Sequence, residues 1–177
     1  MLVLSADGKR IFTSNIASGT VTALEQGPGG GWRATHIAVG AGPEGIDMSP
    51  DGKEVWSAHS QDGGVSVISV ETKKVTDTIA RMTKHSNRIK FTPDGKRVLV
   101  SDPEAGEVVV IDAATHKEIQ RIHTGGQPLG IQMEQLGNRA WVALAGEGAV
   151  AAIDLDKLAV TDKLPTGPGV DGMAWVK

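Results

Sequence analysis

Short apolar segments alternate with polar turns along the chain, and no segment shows the 3.6-residue period of an amphipathic helix. In the stretch 44–86, turn residues such as Gly, Pro, Asp and Lys separate four apolar segments: "EGIDMS" (44–49), "EVWSAH" (54–59), "VSVISV" (65–70) and "VTDTIA" (75–80). Runs of about six residues rich in Val, Ile and Thr between such turns are typical of β-strands. The pattern therefore predicts four strands in this stretch, called A to D.

The same pattern recurs at a fixed spacing. Gly8, Gly52, Gly95 and Gly137 mark the A–B turn of four units, at intervals of 44, 43 and 42 residues. Eleven residues after each marker stands another glycine, and sixteen residues after it a branched aliphatic residue: Gly19, Gly63, Gly106 and Gly148, then Leu24, Ile68, Ile111 and Ile153. Four-stranded antiparallel units of about 40 residues that stack face to face are blades of a β-propeller. We therefore predict an all-β chain with blades at about 1–43, 44–86, 87–129 and 130–172.

The repeat also resembles a known family. "SPDGKEVWSAHSQDGGVSVISVETKKVTDTI" (49–79) is similar to the YVTN-type β-propeller repeat, which runs roughly Pro-Asp-Gly-Lys, an aromatic-containing strand, Gly-x-Val-x-Val-Ile-Asp, Thr and Gly-x-x-Pro. All four units fit, with Leu136-Gly137 for Asp-Gly, Ser69 for the Asp of Asp112 and Asp154, and Val170 for the linker Pro as departures. The resemblance implies a parent of about seven blades. It also implies export, and relatives among amine dehydrogenase chains, cytochrome d1 nitrite reductase chains and lactonases.

Both ends of the chain match strand A. Residues 2–5 begin the first unit, and residues 173–177 repeat the strand A pattern after the fourth, which gives four repeats plus one extra innermost strand. We expect a single partial propeller over 1–177, the C-terminal part of a larger one. An open arc exposes apolar blade faces. The expected partners are therefore missing N-terminal blades or a second chain, and the alternative is that four blades close alone.

Composition excludes several function classes. The chain has 18 basic and 21 acidic residues, so it offers no basic field for nucleic acid. No apolar run reaches the ~20 residues of a membrane span, and "MLVL" is too short for the apolar core of a signal peptide. With no cysteine there is no thiolate metal site, Cys nucleophile or covalently attached haem, and we expect no cofactor. A periplasmic or extracellular location rests on the resemblance alone.

Polar residues that do not repeat gather on one face of the predicted propeller. In a propeller the B–C loops and the D–A links surround one mouth of the central channel, and the A–B turns, with their repeated Asp and Lys, lie at the other end as turn formers. The B–C loops contribute Asn15, His59, Gln61, Asp62, Asp102 and Glu104, and the D–A links contribute Glu44, Lys84, His85, Asn87, Arg88, Gln127 and Asp171.

One D–A link, "KHSNR" (84–88), departs from the glycine–proline pattern. Arg88 stands where the other units have Gly45, Gly130 and Gly172, and it sends a permanently charged guanidinium toward the mouth. Arg and His⁺ match carboxylate or phosphate groups. The candidate site for a small polar or anionic ligand therefore comprises Arg88, His85, Asn87, His59 and Asp102. Since Arg88→Gly restores the repeat, we expect it to leave stability nearly unchanged.

Other interpretations of these residues stay open. His59 and His85 can be ordinary hydrogen-bonding loop residues, and no spacing such as His-Glu-x-x-His supports a metal site. Asp47 and Lys90 are expected to pair between adjacent blades near the axis. No Ser-His-Asp or Cys-His set follows from spacing, so we predict no catalytic residue and no metal.

The sequence favours a non-catalytic propeller scaffold that binds a small polar ligand or a protein partner. Two alternatives remain: a fragment of an amine dehydrogenase-like, nitrite reductase-like or lactonase-like chain, and a cell-surface interaction protein. An enzyme would need several convergent acids, bases or metal ligands at the channel, and only the candidate site offers such groups.

Overall fold

A computed structural model describes residues 1–175, which form four antiparallel four-stranded sheets. Blade 1 contains β1 (Leu2–Leu4), β2 (Arg10–Asn15), β3 (Thr20–Gln26) and β4 (Trp32–Ala38), and blade 2 contains β5 (Pro43–Met48), β6 (Glu54–His59), β7 (Val65–Ser69) and β8 (Lys74–Ile79). Blade 3 contains β9 (Ile89–Phe91), β10 (Arg97–Asp102), β11 (Glu107–Asp112) and β12 (Glu118–His123), and blade 4 contains β13 (Pro128–Met133), β14 (Arg139–Leu144), β15 (Ala149–Asp154) and β16 (Ala159–Pro165).

The prediction of an all-β chain built from propeller blades is confirmed. Each sheet runs in chain order from the A strand to the D strand, and the strand bounds of blade 2 agree with the sequence pattern to within one residue. A single 3₁₀ turn at Ile16–Ser18 is the one helical element within residues 1–175. The part of the chain that the structure describes contains no helix long and apolar enough to cross a bilayer.

The repeated aspartates shape the A–B turns, as predicted. In each of three turns the Asp carboxylate accepts the backbone N–H of the Lys two residues later and a hydroxyl from the residue two before: Asp7 with Lys9 and Ser5, Asp51 with Lys53 and Ser49, and Asp94 with Lys96 and Thr92. The fourth turn, which lacks the Asp, carries an ion pair between Glu134 and Arg139 with an N–O distance of 2.8 Å. The Leu136-Gly137 departure from Asp-Gly therefore goes with a turn that is held by an ion pair and not by an Asp carboxylate.

The glycine that stands eleven residues after each A–B marker joins the B–C loop of its blade to the following D–A link. Its φ is positive in every blade, and its carbonyl accepts a backbone N–H from the link in every blade: Val39 to Gly19 at 2.9 Å, Thr83 to Gly63 at 3.0 Å, Thr124 to Gly106 at 3.0 Å and Thr166 to Gly148 at 2.8 Å. Because a residue with a Cβ avoids this backbone conformation, the glycine recurs at a fixed offset. These contacts hold the links over the channel mouth.

The core lies between the blades. Three apolar clusters fill the three interfaces, and each contains a large β-strand B residue from one blade packed on the next: Phe12, Trp56 and Leu99. The C–D turn adds a second contact to the preceding blade through a residue with positive φ. Lys73 Nζ lies 2.7 Å from Glu25, His116 Nδ1 lies 2.5 Å from Asp77, and Leu158 packs against the apolar cluster of its interface.

Between the end of β16 and residue 175 the chain forms no further strand. Residues 170–175 carry no strand, and the predicted innermost strand at 173–177 extends beyond the described residues. That strand therefore stays a prediction.

Candidate functional site

Each D–A link passes close to the A strand of the preceding blade. At the point of contact on that strand there is no room for a side chain. A Cβ on Gly45 would lie 2.5 Å from the carbonyl oxygen of Asn87, and one on Gly130 would lie 2.0 Å from that of Asp171. Arg88 occupies the equivalent position in blade 3, where its backbone N–H bonds to Ser101 Oγ at 3.0 Å. The position is therefore fixed by backbone contacts, and in blade 3 alone it carries a long cationic side chain.

The Arg88 guanidinium joins links from three places in the chain. Its Nη1 lies 2.9 Å from Glu44 Oε1 and 3.0 Å from Asn87 Oδ1, and its Nη2 lies 3.1 Å from Asp171 Oδ2. Asn87 Nδ2 also donates to Glu44 Oε1 at 2.9 Å. We call Glu44, Asn87, Arg88 and Asp171 the mouth cluster.

The charge of the mouth cluster is set by one cation and two carboxylates. Arg88 and Glu44 are half-buried, with 19% and 23% of their side chains exposed, and Asp171 is more exposed. A guanidinium has five N–H donors, and the contacts within the cluster use three of those on Arg88. Asp171 Oδ1 is buried and has no hydrogen-bond partner among residues 1–175. A ligand can therefore place a hydrogen-bond acceptor against the remaining N–H groups of Arg88. It can also place hydrogen-bond donors against the carboxylates of the cluster.

His59 forms a separate buried pair with Asp62. His59 is almost fully buried at the end of β6, and its Nδ1 lies 3.0 Å from Asp62 Oδ1. Asp62 also accepts the backbone N–H groups of Ala41 at 2.6 Å and Gly64 at 2.8 Å. A Cβ on Gly40 would lie 2.2 Å from the imidazole. The pair therefore fastens the first D–A link to the second B–C loop.

The protonation state of His59 follows from this environment. Burial, the largest effect, lowers the pKa of His59, although the neighbouring Asp62 acts in the opposite direction. Since a carboxylate can only accept, the neutral imidazole carries its proton on Nδ1 and leaves a lone pair on Nε2. His59 Nε2 and Ser57 Oγ, two residues apart on β6, are both buried without a hydrogen-bond partner in the described part of the chain.

We expect His59 to make stability depend on pH below about 6.5, the ordinary pKa of histidine. Its folded-state pKa lies below the ordinary value of 6.5, so the unfolded chain binds more protons in this window and stability falls as pH falls. One proton gives a slope of at most about 1.4 kcal/mol per pH unit. Urea unfolding of the wild type and His59→Gln across this range measures the slope, which should be smaller in the variant. The control is His36→Gln at an exposed site, and equal slopes in the wild type and His59→Gln would contradict the assignment.

The other two candidate residues have different surroundings. Asp102 is fully buried, and its carboxylate accepts the backbone N–H groups of Lys84 at 2.8 Å and Ala105 at 3.1 Å. This contact holds the irregular link "KHSNR" on its B–C loop. His85 is half-buried in the same link. Neither residue has a hydrogen bond or ion pair to Arg88 within residues 1–175.

The opposite end of the channel carries the predicted inter-blade pair. Lys90 Nζ lies 3.1 Å from Asp47 Oδ1, and Asp47 Oδ2 accepts the backbone N–H of Phe91 at 2.9 Å. The expected pairing between adjacent blades is therefore confirmed. Together with Gln132 these side chains line a cavity of about 420 Å³.

The structure thus divides the predicted site into separate groups. Arg88 and Asn87 lie together, while His59 and Asp102 fasten loops elsewhere at the same mouth. The partners of Arg88, Glu44 and Asp171, were among the mouth residues that the sequence placed there, but they were missing from the candidate site. Their signal is the repeat register, because both stand one residue before the Gly45 and Gly172 that are equivalent to Arg88. The described residues contain no group of three or more His, Asp or Glu side chains placed to hold a metal ion.

Stacked four-stranded blades around an axis, with links and loops gathered at one mouth, define this chain as a β-propeller protein. It belongs to the YNCE-like β-propeller family, whose family model matches residues 2–139. Among curated proteins, no significant match was found.

Solved structures share the fold at low sequence identity. Hydrazine synthase of Kuenenia stuttgartiensis aligns with a TM-score of 0.83 and 23% identity, over 94% of this chain and 48% of that one. A functionally unknown protein from Desulfotomaculum acetoxidans aligns with a TM-score of 0.84 and 15% identity, over 95% and 56%. A candidate 6-phosphogluconolactonase from Bacteroides uniformis aligns with a TM-score of 0.78 and 18% identity, over 96% and 55%. The chain therefore spans about half the length of the structures it matches.

Proposed function

We propose that this chain is a non-catalytic propeller module that binds a small polar ligand at the mouth cluster. The observation that carries the proposal is Arg88, the one long cationic side chain among four equivalent link positions, held between carboxylates of two other links. Ligand sites are largely pre-formed and carry a few precisely placed polar groups that fix the orientation of the ligand, and the mouth cluster supplies such groups. The similar solved structures show the fold alone and bring no reaction to this chain.

The composition of the cluster narrows the ligand class. An acid group can take the two Arg88 N–H donors that the cluster leaves over, and charge-assisted hydrogen bonds of this kind are strong. A purely anionic ligand would also meet Glu44 and Asp171, which repel it. A ligand that carries hydrogen-bond donors beside its acid group avoids this conflict. The proposed ligands are therefore small amino acids or hydroxy acids.

An NMR titration that follows the backbone amide signal of Asn87, which is present in every variant, tests the proposal with three probes: glycine, glycolate and acetate. We expect glycine and glycolate to shift the signal at lower concentration than acetate, and Arg88→Met to weaken their binding tenfold or more, because it removes a charged donor. Arg121→Met is the matched control, since Arg121 is also held by two carboxylates, Glu118 and Glu107, but on the outer strand β12. Equal binding by the two variants, or a stronger response to acetate, would remove the mouth cluster as the site.

The structure also revises the expected stability of Arg88→Gly. The sequence pattern predicts a neutral change, but the guanidinium compensates two carboxylates from different links. Removing it leaves those carboxylates facing each other and should lower the free energy of unfolding by about 1–3 kcal/mol. Urea unfolding measures this loss, and Glu44→Gln in the same background should recover part of it. An unchanged unfolding curve would restore the expectation from sequence.

We also propose that the repeats are of the YVTN type and that the protein works outside the cytoplasm. Support comes from the Pro-Asp-Gly-Lys turns at 50–53 and 93–96 and from the absence of cysteine, which suits an oxidising compartment. Cell fractionation with an antibody against the chain tests the location, and recovery in the cytoplasmic fraction would contradict it.

A further inference from the structure

A row of charged side chains crosses blade 1 at the end of the sheet opposite the mouth cluster. Strand pairing sets Glu25 of β3 between Arg10 of β2 and Arg33 of β4, so the three side chains lie on one face of the sheet. Glu25 also lies 2.7 Å from Lys73 Nζ of blade 2, so this face is turned toward blade 2. The row therefore lies in the groove between blades 1 and 2, and both walls of that groove belong to the described chain.

The two carboxylates in this part of the groove already have partners. Asp7 accepts a side-chain hydroxyl and the backbone N–H of Lys9, the latter at 3.0 Å. Glu25 lies 2.7 Å from the Lys73 ammonium and 3.6 Å from the Arg10 guanidinium. The acidic groups are therefore satisfied by contacts within the fold.

Two cations beside these carboxylates are not paired. Among the ion pairs of residues 1–175, none includes Lys9 or Arg33. The repeat supplies a comparison, because Lys53 and Lys96 stand at the same turn position as Lys9 and lie 3.1 Å and 4.0 Å from the Asp of their own turns. Lys9 and Arg33 therefore carry two positive charges that the described part of the fold does not neutralise.

The two unpaired cations line a pair of adjoining cavities. Lys9, Arg10 and Arg33 all border a cavity of about 290 Å³. A second cavity, of about 500 Å³, shares Lys9 and Pro28 with the first and extends along the turn at 27–31. A small ligand can therefore reach the charged groups and this turn at the same time.

The turn at 27–31 adds backbone donors to the same place. A Cβ on Gly29 or Gly31 would meet no atom within 4 Å, and neither residue has a positive φ, so the packing does not require glycine at either position. Within residues 1–175 their N–H groups have no backbone acceptor. Glycine lets a ligand approach the backbone closely, and free N–H groups of a turn are donors for anions.

We propose that this groove binds the dianionic phosphate group of a small molecule. We call Lys9, Arg10, Arg33 and the turn 27–31 the groove site. Its two unpaired cations match a phosphate monoester, which carries up to two negative charges at neutral pH, with a second pKa of about 6. The guanidinium fork also matches the spacing of phosphate oxygens. The groove site lies at the other end of the blades from the mouth cluster, so its occupation does not depend on the function proposed there.

An NMR titration of the Gly29 and Gly31 backbone amides at constant ionic strength tests the groove site with three probes. Inorganic phosphate and glycerol phosphate represent a free and an esterified source of the dianion, and dimethyl phosphate represents a monoanionic diester. We expect the first two to shift both amide signals, and dimethyl phosphate to need at least tenfold higher concentration, because it carries half the charge. Tighter binding of glycerol phosphate than of inorganic phosphate would identify an ester as the ligand, and the reverse order would identify free phosphate.

Substitutions separate the groove site from a general effect of charge. Arg33→Gln and Lys9→Gln should each weaken phosphate binding about tenfold, because each removes a charged hydrogen-bond donor. The matched controls are Arg81→Gln, which removes an exposed guanidinium after β8, and Lys96→Gln, which removes the repeated turn lysine of blade 3. All four side chains are exposed, so urea unfolding curves should agree with the wild type.

Three results would overturn the groove site. The first is an equal loss of phosphate binding in Arg33→Gln and Arg81→Gln, or in Lys9→Gln and Lys96→Gln, since binding would then follow net charge alone. The second is dimethyl phosphate binding as tightly as inorganic phosphate. The third is a pair of glycine amide signals that neither phosphate nor glycerol phosphate shifts.

Discussion

Replacing Trp56 with alanine should lower the free energy of unfolding by about 3–5 kcal/mol. Trp56 is fully buried between blades 2 and 3, where its ring lies edge-on to Phe91 at 5.4 Å and to His116 at 5.1 Å between ring centroids. Its Nε1 also donates to Glu54 at 2.9 Å. The substitution removes the largest side chain of this interface, and the two rigid sheets can close the resulting cavity only in part.

Urea unfolding followed by circular dichroism measures this effect. Trp32→Ala is the matched control, because Trp32 is exposed on β4 and the same atoms are removed from a site that buries little. We expect its cost to stay within about 0.5 kcal/mol. Similar losses for the two variants would show that the interface between blades 2 and 3 contributes little to the cooperative unit that unfolds.

Gly63→Ala is the second substitution with a large expected cost. A Cβ on Gly63 would lie 2.0 Å from the carbonyl oxygen of Thr83, so the D–A link would have to move away from the B–C loop. That movement breaks the hydrogen bond from the Thr83 N–H to Gly63, which measures 3.0 Å. The positive φ of 68° costs an alanine about 1–2 kcal/mol, and the clash should add about 1–3 kcal/mol.

The chain offers a control that separates the two contributions. Gly52 has nearly the same φ, 71°, but a Cβ there meets no atom within 4 Å. Gly52→Ala therefore reports the cost of the backbone conformation alone, and the difference from Gly63→Ala in urea unfolding reports the clash. Equal free energies of unfolding would mean that the link shifts without cost.

The fold was predictable because each repeated residue has one physical task. The Asp of the A–B turn accepts a specific backbone N–H, the glycine eleven residues after the marker accepts the link, and the aliphatic residue sixteen after it fills an interface. A requirement imposed once per blade leaves a periodic trace in the sequence, and periodicity can be counted without any structure. The bounds of β5, β6, β7 and β8 followed from it to within one residue.

The site was harder to predict because its contacts do not repeat. The repeat register placed Arg88 in the D–A link. Its partners Glu44 and Asp171 are separated from it by 44 and 83 residues in the sequence. The sequence also did not show which side chains are buried. His59 and Asp102 stand at equivalent strand ends, and both are buried. His59 is paired with Asp62, and Asp102 accepts the backbone N–H of Lys84. Which side chain meets which depends on the angle between blades, and a single sequence does not contain that angle.

The Arg88 contacts bear on how the arc keeps its curvature. Each blade is set against its neighbour by an interface of its own, so small errors in three successive angles would add up along the arc. The Arg88 side chain joins Glu44, at the start of blade 2, to Asp171, after blade 4, and so acts as a chord across two of those angles, between blades 2 and 3 and between blades 3 and 4. The length of the Arg88 side chain therefore limits the sum of these two angles. The radius of the channel then depends on this guanidinium as well as on the apolar interfaces between the blades.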